Sequence, residues 1–139
     1  MDERVLGLGR AAWAAVPHEA SSAEAWLPAA ALDGGCAAGP VRAALATEIG
    51  RRAGIDAHPA RVHGCWAIHV RTDDGDAAAD VGSETEDDGL DGPRGCLCAH
   101  QLAFVVLTGL VEAWETAGDP QRAQHTRLLR HALLRGGSA

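Results

Sequence analysis

Hydrophobic periodicity changes twice along this 139-residue chain, and the order of the changes limits its fold more than any composition figure does. Up to about residue 50 the apolar residues recur at helical spacing. Val5, Leu6, Leu8 and Trp13 share one side of a helix over residues 4–15, which Pro17 ends. Ser21 and Glu24 carry a capping-box pattern that predicts a second helix to about Leu32, broken by Asp33-Gly34-Gly35. Pro40 suits a first helical turn, and Val41, Leu45 and Ile49 follow at intervals of four. A third helix is therefore expected to bury one face and to close at Gly54.

The period then becomes two. Residues 58–63 and 65–71 predict strands, Thr72-Asp73-Asp74-Gly75 carries an Asp-Gly turn signal, and residues 77–81 predict a third strand. Residues 82–95 are acidic, Gly-rich and poor in apolar side chains, which predicts a solvated loop. Helical spacing returns at Leu102, Val105, Val106, Leu110 and Trp114, giving a helix from about Ala99 to Thr116 that Gly118 stops. Asp119 and Pro120 restart the chain as cap and first-turn residue of a last helix reaching about Leu134. So short a connection makes the two helices antiparallel. Helices, then a meander, then helices is the pattern of an α+β domain: N-terminal helices, a small antiparallel sheet on a central helix, and a C-terminal helical hairpin. The length fits one domain over residues 1–139.

Composition sharpens this. The chain has no tyrosine and a single phenylalanine, Phe104, so Trp13, Trp26, Trp66 and Trp114 must supply the bulky packing among many alanines. A net charge of −7 opposes nucleic acid or an anionic membrane as partner. No apolar run approaches the ~18–20 residues of a membrane helix. The opening MDERVLGLGR lacks the basic region of a secretory signal, so a cytoplasmic location is expected, with Cys36, Cys65, Cys96 and Cys98 reduced.

Residues 36–82 place a cysteine before a helix, then strands carrying a histidine-like position and an aspartate. Over this stretch, with Glu48-Ile49-Gly50-Arg51-Arg52-Ala53-Gly54-Ile55 at the end of the helix, the chain resembles the transglutaminase-like superfamily. Cys98-Ala99-His100-Gln101, Leu107-Thr108-Gly109-Leu110 and Ala117-Gly118-Asp119-Pro120-Gln121-Arg122-Ala123 resemble the tetratricopeptide-like helical tail, about residues 98–134, of one bacterial branch of that superfamily. The resemblance implies a transglutaminase- or papain-like core using a thiolate, a histidine base and an orienting aspartate. It maps the nucleophile near Cys36 and the aspartate onto Asp80. The family's histidine position falls on Cys65, with His63 two residues before and His69 four after, all of one strand parity. Any of His63, Cys65 or His69 is a candidate to face Cys36 and Asp80.

Thiol-dependent acyl transfer or amide hydrolysis on a peptide or small-molecule biosynthetic intermediate follows from that reading, with no cofactor. One alternative is a non-catalytic binding or regulatory module that meets a protein partner through the C-terminal helices. Another is metal binding by Cys96, Cys98 and His100, whose Cys-x-Cys-x-His spacing is not a zinc-finger signature. Gly7-Leu8-Gly9 lies within a helical pattern and lacks the rest of a phosphate loop, and no serine nucleophile elbow occurs.

Overall fold

The computed structural model describes residues 7–8, 11, 18–19, 22–62, 65–73, 75–80 and 94–136. Of the expected first helix, Gly7, Leu8 and Ala11 are described, and they are helical. Strand β1 (His18–Glu19) runs parallel to β2 (Cys36–Ala37), with His18 opposite Cys36.

The single helix expected up to Leu32 is two pieces. A 3-10 turn spans Ala23–Trp26, and α1 spans Pro28–Gly34. Proline disfavours helical backbone in the residue before it, and Leu27 is extended (φ −106°, ψ 113°), so the chain breaks there and Pro28 starts anew. Ser22, not Ser21, precedes the turn, and its side chain makes no cap hydrogen bond. The second helical span, α2, is Gly39–Arg52, close to its expected limits. Gly54, at φ +76°, takes the left-handed conformation that ends it, and the Ile55 N–H closes the turn on the Gly50 carbonyl at 2.8 Å.

The meander follows as β3 (Asp56–Val62), β4 (Cys65–Thr72) and β5 (Gly75–Asp80). A short strand, β6 (Arg94–Cys96), adds to the free side of β3, giving the antiparallel order β5-β4-β3-β6. It overturns part of the expected loop over 82–95: residues 94–95 are paired backbone. Pro59 is tolerated in this inner strand because β6 has ended beside it, where one bond remains, from the Leu97 N–H to the Pro59 carbonyl at 2.9 Å.

Helix α2 covers one sheet face. Ala43 and Ala46 meet Leu8, Ala57, Ile68 and Val70, with Trp66 and Ile49 alongside. Small side chains let the helix approach closely; a Cβ on Gly39 would lie 2.6 Å from the Trp66 ring. A second cluster of Ala31, Ala37 and Val41, flanked by Trp26, Leu45 and Val106, joins α1, β2 and α2 to the first of the two C-terminal helices.

Those helices are α3 (Ala99–Thr116) and α4 (Pro120–Gly136). Asp119 caps α4 by accepting the Arg122 N–H at 3.0 Å. Arg122 stacks on Trp114, Arg127 pairs with Glu115, and Arg130 stacks on Phe104. The start of α4, at Arg122, thus meets the end of α3, and Arg130 further along meets Phe104 and Thr108 nearer its beginning, which is the expected antiparallel hairpin. Among the described residues no helix is long and apolar enough to cross a membrane.

Candidate functional site

Strand alternation sorts the chemistry-bearing residues onto two faces of the sheet. Trp66, Ile68 and Val70 of β4 face α2. Cys65, Ala67 and His69 take the opposite face, in register with Val62, Ala60 and His58 of β3. Cys96 of β6 pairs with Ala60 and so joins that same face.

On it a sulfur and an imidazole meet. The His69 Nδ1 lies 3.2 Å from the Cys96 Sγ, hydrogen-bonding distance for sulfur. The two residues are separated by β3, so the ring must lean across that strand. Ala60, wholly buried between Cys96 and Ala67, presents only a methyl group there and leaves the path open. His69 is 4% exposed, whereas Cys96 is exposed. A buried ring with one nitrogen toward an accessible thiol is an arrangement suited to removing the thiol proton without blocking the sulfur.

Beside it stands a second imidazole. The His58 Nε2 lies 2.8 Å from the Asp56 Oδ1, and the His58 and His69 ring centroids are 6.5 Å apart. Past Cys96 the chain turns into α3 through a reciprocal cap: the Gln101 N–H donates to the Cys98 Sγ at 3.4 Å, and the Cys98 N–H donates to the Gln101 Oε1 at 2.9 Å. The cap consumes the Gln101 amide and leaves those of Ala99 and His100, three and four residues beyond Cys96, at the positive end of the helix.

The residues singled out by resemblance are distributed otherwise. Cys36 lies in β2, directly ahead of α2, the helix that packs on the Trp66 face; among the described residues no hydrogen bond reaches its thiol. The sheet therefore separates α2 from Cys65 and His69, and it is Trp66 that sits against the start of the helix, beside Gly39. Cys65 is exposed at the start of β4. Asp80 pairs with Ala67 in the backbone ladder. His63 lies outside the described residues. Cys96, Cys98 and His100 do not gather into a ligand set: among the described residues no three His, Cys, Asp or Glu side chains converge on a point where a metal ion could sit.

Sequence reasoning named His69 and Cys96 but in different constellations, and it passed over Asp56 and His58. The Asp-x-His spacing on a strand was the available signal, since alternation puts both side chains on one face. The pairing of Cys96 with His69 had no local signal, because it depends on β6 adding to β3.

No family model, curated protein or solved structure matches the chain.

Proposed function

We propose that this domain performs thiol-dependent acyl transfer or amide hydrolysis, with Cys96 as nucleophile and His69 as general base. The observation that carries the reading is the 3.2 Å contact between an exposed sulfur and a buried imidazole nitrogen. The reaction class is the one implied by the likeness to the transglutaminase-like superfamily; the nucleophile is Cys96 in place of Cys36.

In the proposed cycle the thiol proton passes to His69 Nδ1, and the sulfur attacks the substrate carbonyl carbon. The carbonyl π electrons move to oxygen, where the free amides of Ala99 and His100 offer the oxyanion a donor pair. Collapse of the tetrahedral adduct breaks the bond to the leaving amine or alcohol, which takes the proton from the imidazolium. Water, or an acceptor amine, then attacks the acyl thioester and regenerates the thiol. The substrate, a peptide or small amide-bearing molecule, would meet Cys96 at the exposed β6 edge, because Val62, Ala67 and Ala78 further into that sheet face are buried.

The test is acylation by p-nitrophenyl acetate followed by peptide-resolved mass spectrometry. The chain contains no lysine, so no side-chain amine competes for the acetyl group. One acetyl group on the Cys96 peptide is expected, lost in Cys96→Ser and reduced at least tenfold in His69→Gln. Equal acylation of all four cysteines would refute the proposal. A non-catalytic binding module is the second reading, favoured by Leu128 at 60% and Leu129 at 50% exposure on α4. It predicts no acyl-enzyme at any position.

A further inference from the structure

Helix α2 begins with an electrostatic debt unrelated to the thiol chemistry. Arg42, in its first turn, is 1% exposed, and its Nε and Nη2 atoms are buried with no hydrogen-bond partner. A guanidinium removed from water without an anion is costly enough that buried arginines are nearly always paired. Its sequence neighbours enter apolar clusters on both sides: Val41 joins Ala31 and Ala37, and Ala43 joins Ile68 and Val70. No carboxylate among the described residues pairs with it.

The helix end adds positive potential of its own. Helical side chains lean toward the N-terminus, so Arg42 projects back over the start of its own helix. That end is uncapped by any side chain: its N-cap residue is Ala38, and Pro40 brings no N–H. The amides of Gly39 and Val41 remain as orphan donors of a 14-residue helix, at the positive end of its dipole. The Trp66 ring lies against Gly39, with the Arg61 guanidinium stacked on it 4.7 Å from the ring centre.

We infer that the start of α2 is a binding site for a compact oxyanion, the carboxylate or phosphate group of a small ligand, held by the Arg42 fork and the Gly39 and Val41 amides. Planar guanidinium geometry suits two oxygens of one group, and a helix N-terminus adds backbone donors aimed at the same charge. The site is independent of Cys96 and His69, which lie on the other side of the sheet.

Thermal unfolding of the full chain tests it, in sodium phosphate, sodium acetate and sodium chloride at matched ionic strength. Wild-type Tm should rise by about 4 °C over chloride when the binding anion is tenfold above its Kd. A rise in acetate alone assigns a carboxylate, and one in phosphate alone assigns a phosphate. Arg42→Met, which keeps the length of the side chain, should fold in chloride and lose the rise; Arg42→Gln is the second variant should methionine misfold. Equal wild-type Tm in the three salts, or an undiminished rise in both variants, would overturn the assignment.

Discussion

Gly109 lies in the middle of α3, where glycine is a poor helix former, and the structure gives the reason it is there. A Cβ at this position would fall 2.2–2.4 Å from three carbons of the Trp26 ring. Carbon contacts prefer about 3.5–4.0 Å, so the ring would have to retreat by roughly 1 Å or more. Packing on two sides limits where it can go. Trp26 packs against Ala31, Ala37 and Val41 on one side and Ala23, Leu110 and Ala113 on another. Gly109→Ala therefore sets two effects in opposition. Helix propensity favours alanine by about 1 kcal/mol. Overpacking a fixed core site opposes it by about 1–3 kcal/mol, and with a rigid indole wedged between two clusters the upper half of that range applies. The net expectation is a loss of about 1–2 kcal/mol, or a Tm lower by about 3–8 °C. Urea denaturation followed by tryptophan fluorescence measures it, provided the m-value is unchanged. Gly34→Ala in α1 is the control: a Cβ there meets nothing within 4 Å, and a gain of about 0.4–1 kcal/mol is expected. In a Trp26→Leu background Gly109→Ala should become neutral or stabilising, a coupling of about 1–2 kcal/mol. If Gly109→Ala stabilises the native background as much as Gly34→Ala does, Trp26 does not lie on Gly109 and the packing described is wrong.

Two further outcomes follow from particular contacts. Asp119→Ala removes the oxygen that accepts the Arg122 N–H at the start of α4 and should cost about 1 kcal/mol by urea denaturation; no loss would mean that the cap contributes nothing to the hairpin. Ala60→Val adds two methyl groups where the His69 ring crosses β3 toward Cys96, and should cost about 1–3 kcal/mol while lowering Cys96 acylation. Unchanged acylation in a folded Ala60→Val protein would show that the ring does not take that path.

The elements that could be read from sequence are those whose signals are local. The repeat of Val41, Leu45 and Ile49, with Pro40 before and Gly54 after, marked α2 because periodicity and both ends agree. The same holds for α3 and α4, punctuated by Gly118 and Asp119. The break at Leu27 was missed because a capping pattern at Ser21 outweighed the effect of Pro28 on its predecessor. Strand β6 was missed for a different reason: Arg94-Gly95-Cys96 has no strand character of its own and is paired only because β3 offers an open edge. That one long-range pairing decides the candidate site. It brings Cys96 to His69, whereas chain order alone pointed to Cys36, directly ahead of α2, the helix on the other sheet face.

The measurement closest to the centre of the account is the alkylation rate of each cysteine by iodoacetamide at mildly acidic pH, resolved by peptide mass spectrometry, in the native protein and in His69→Gln. Cys65, Cys96 and Cys98 are all exposed, so accessibility alone predicts similar rates. An imidazole drawing on the sulfur proton predicts that Cys96 reacts at least tenfold faster than Cys65, and that His69→Gln slows Cys96 alone. Indistinguishable rates at the three exposed thiols, unmoved by the histidine substitution, would reduce the pair to a packing contact.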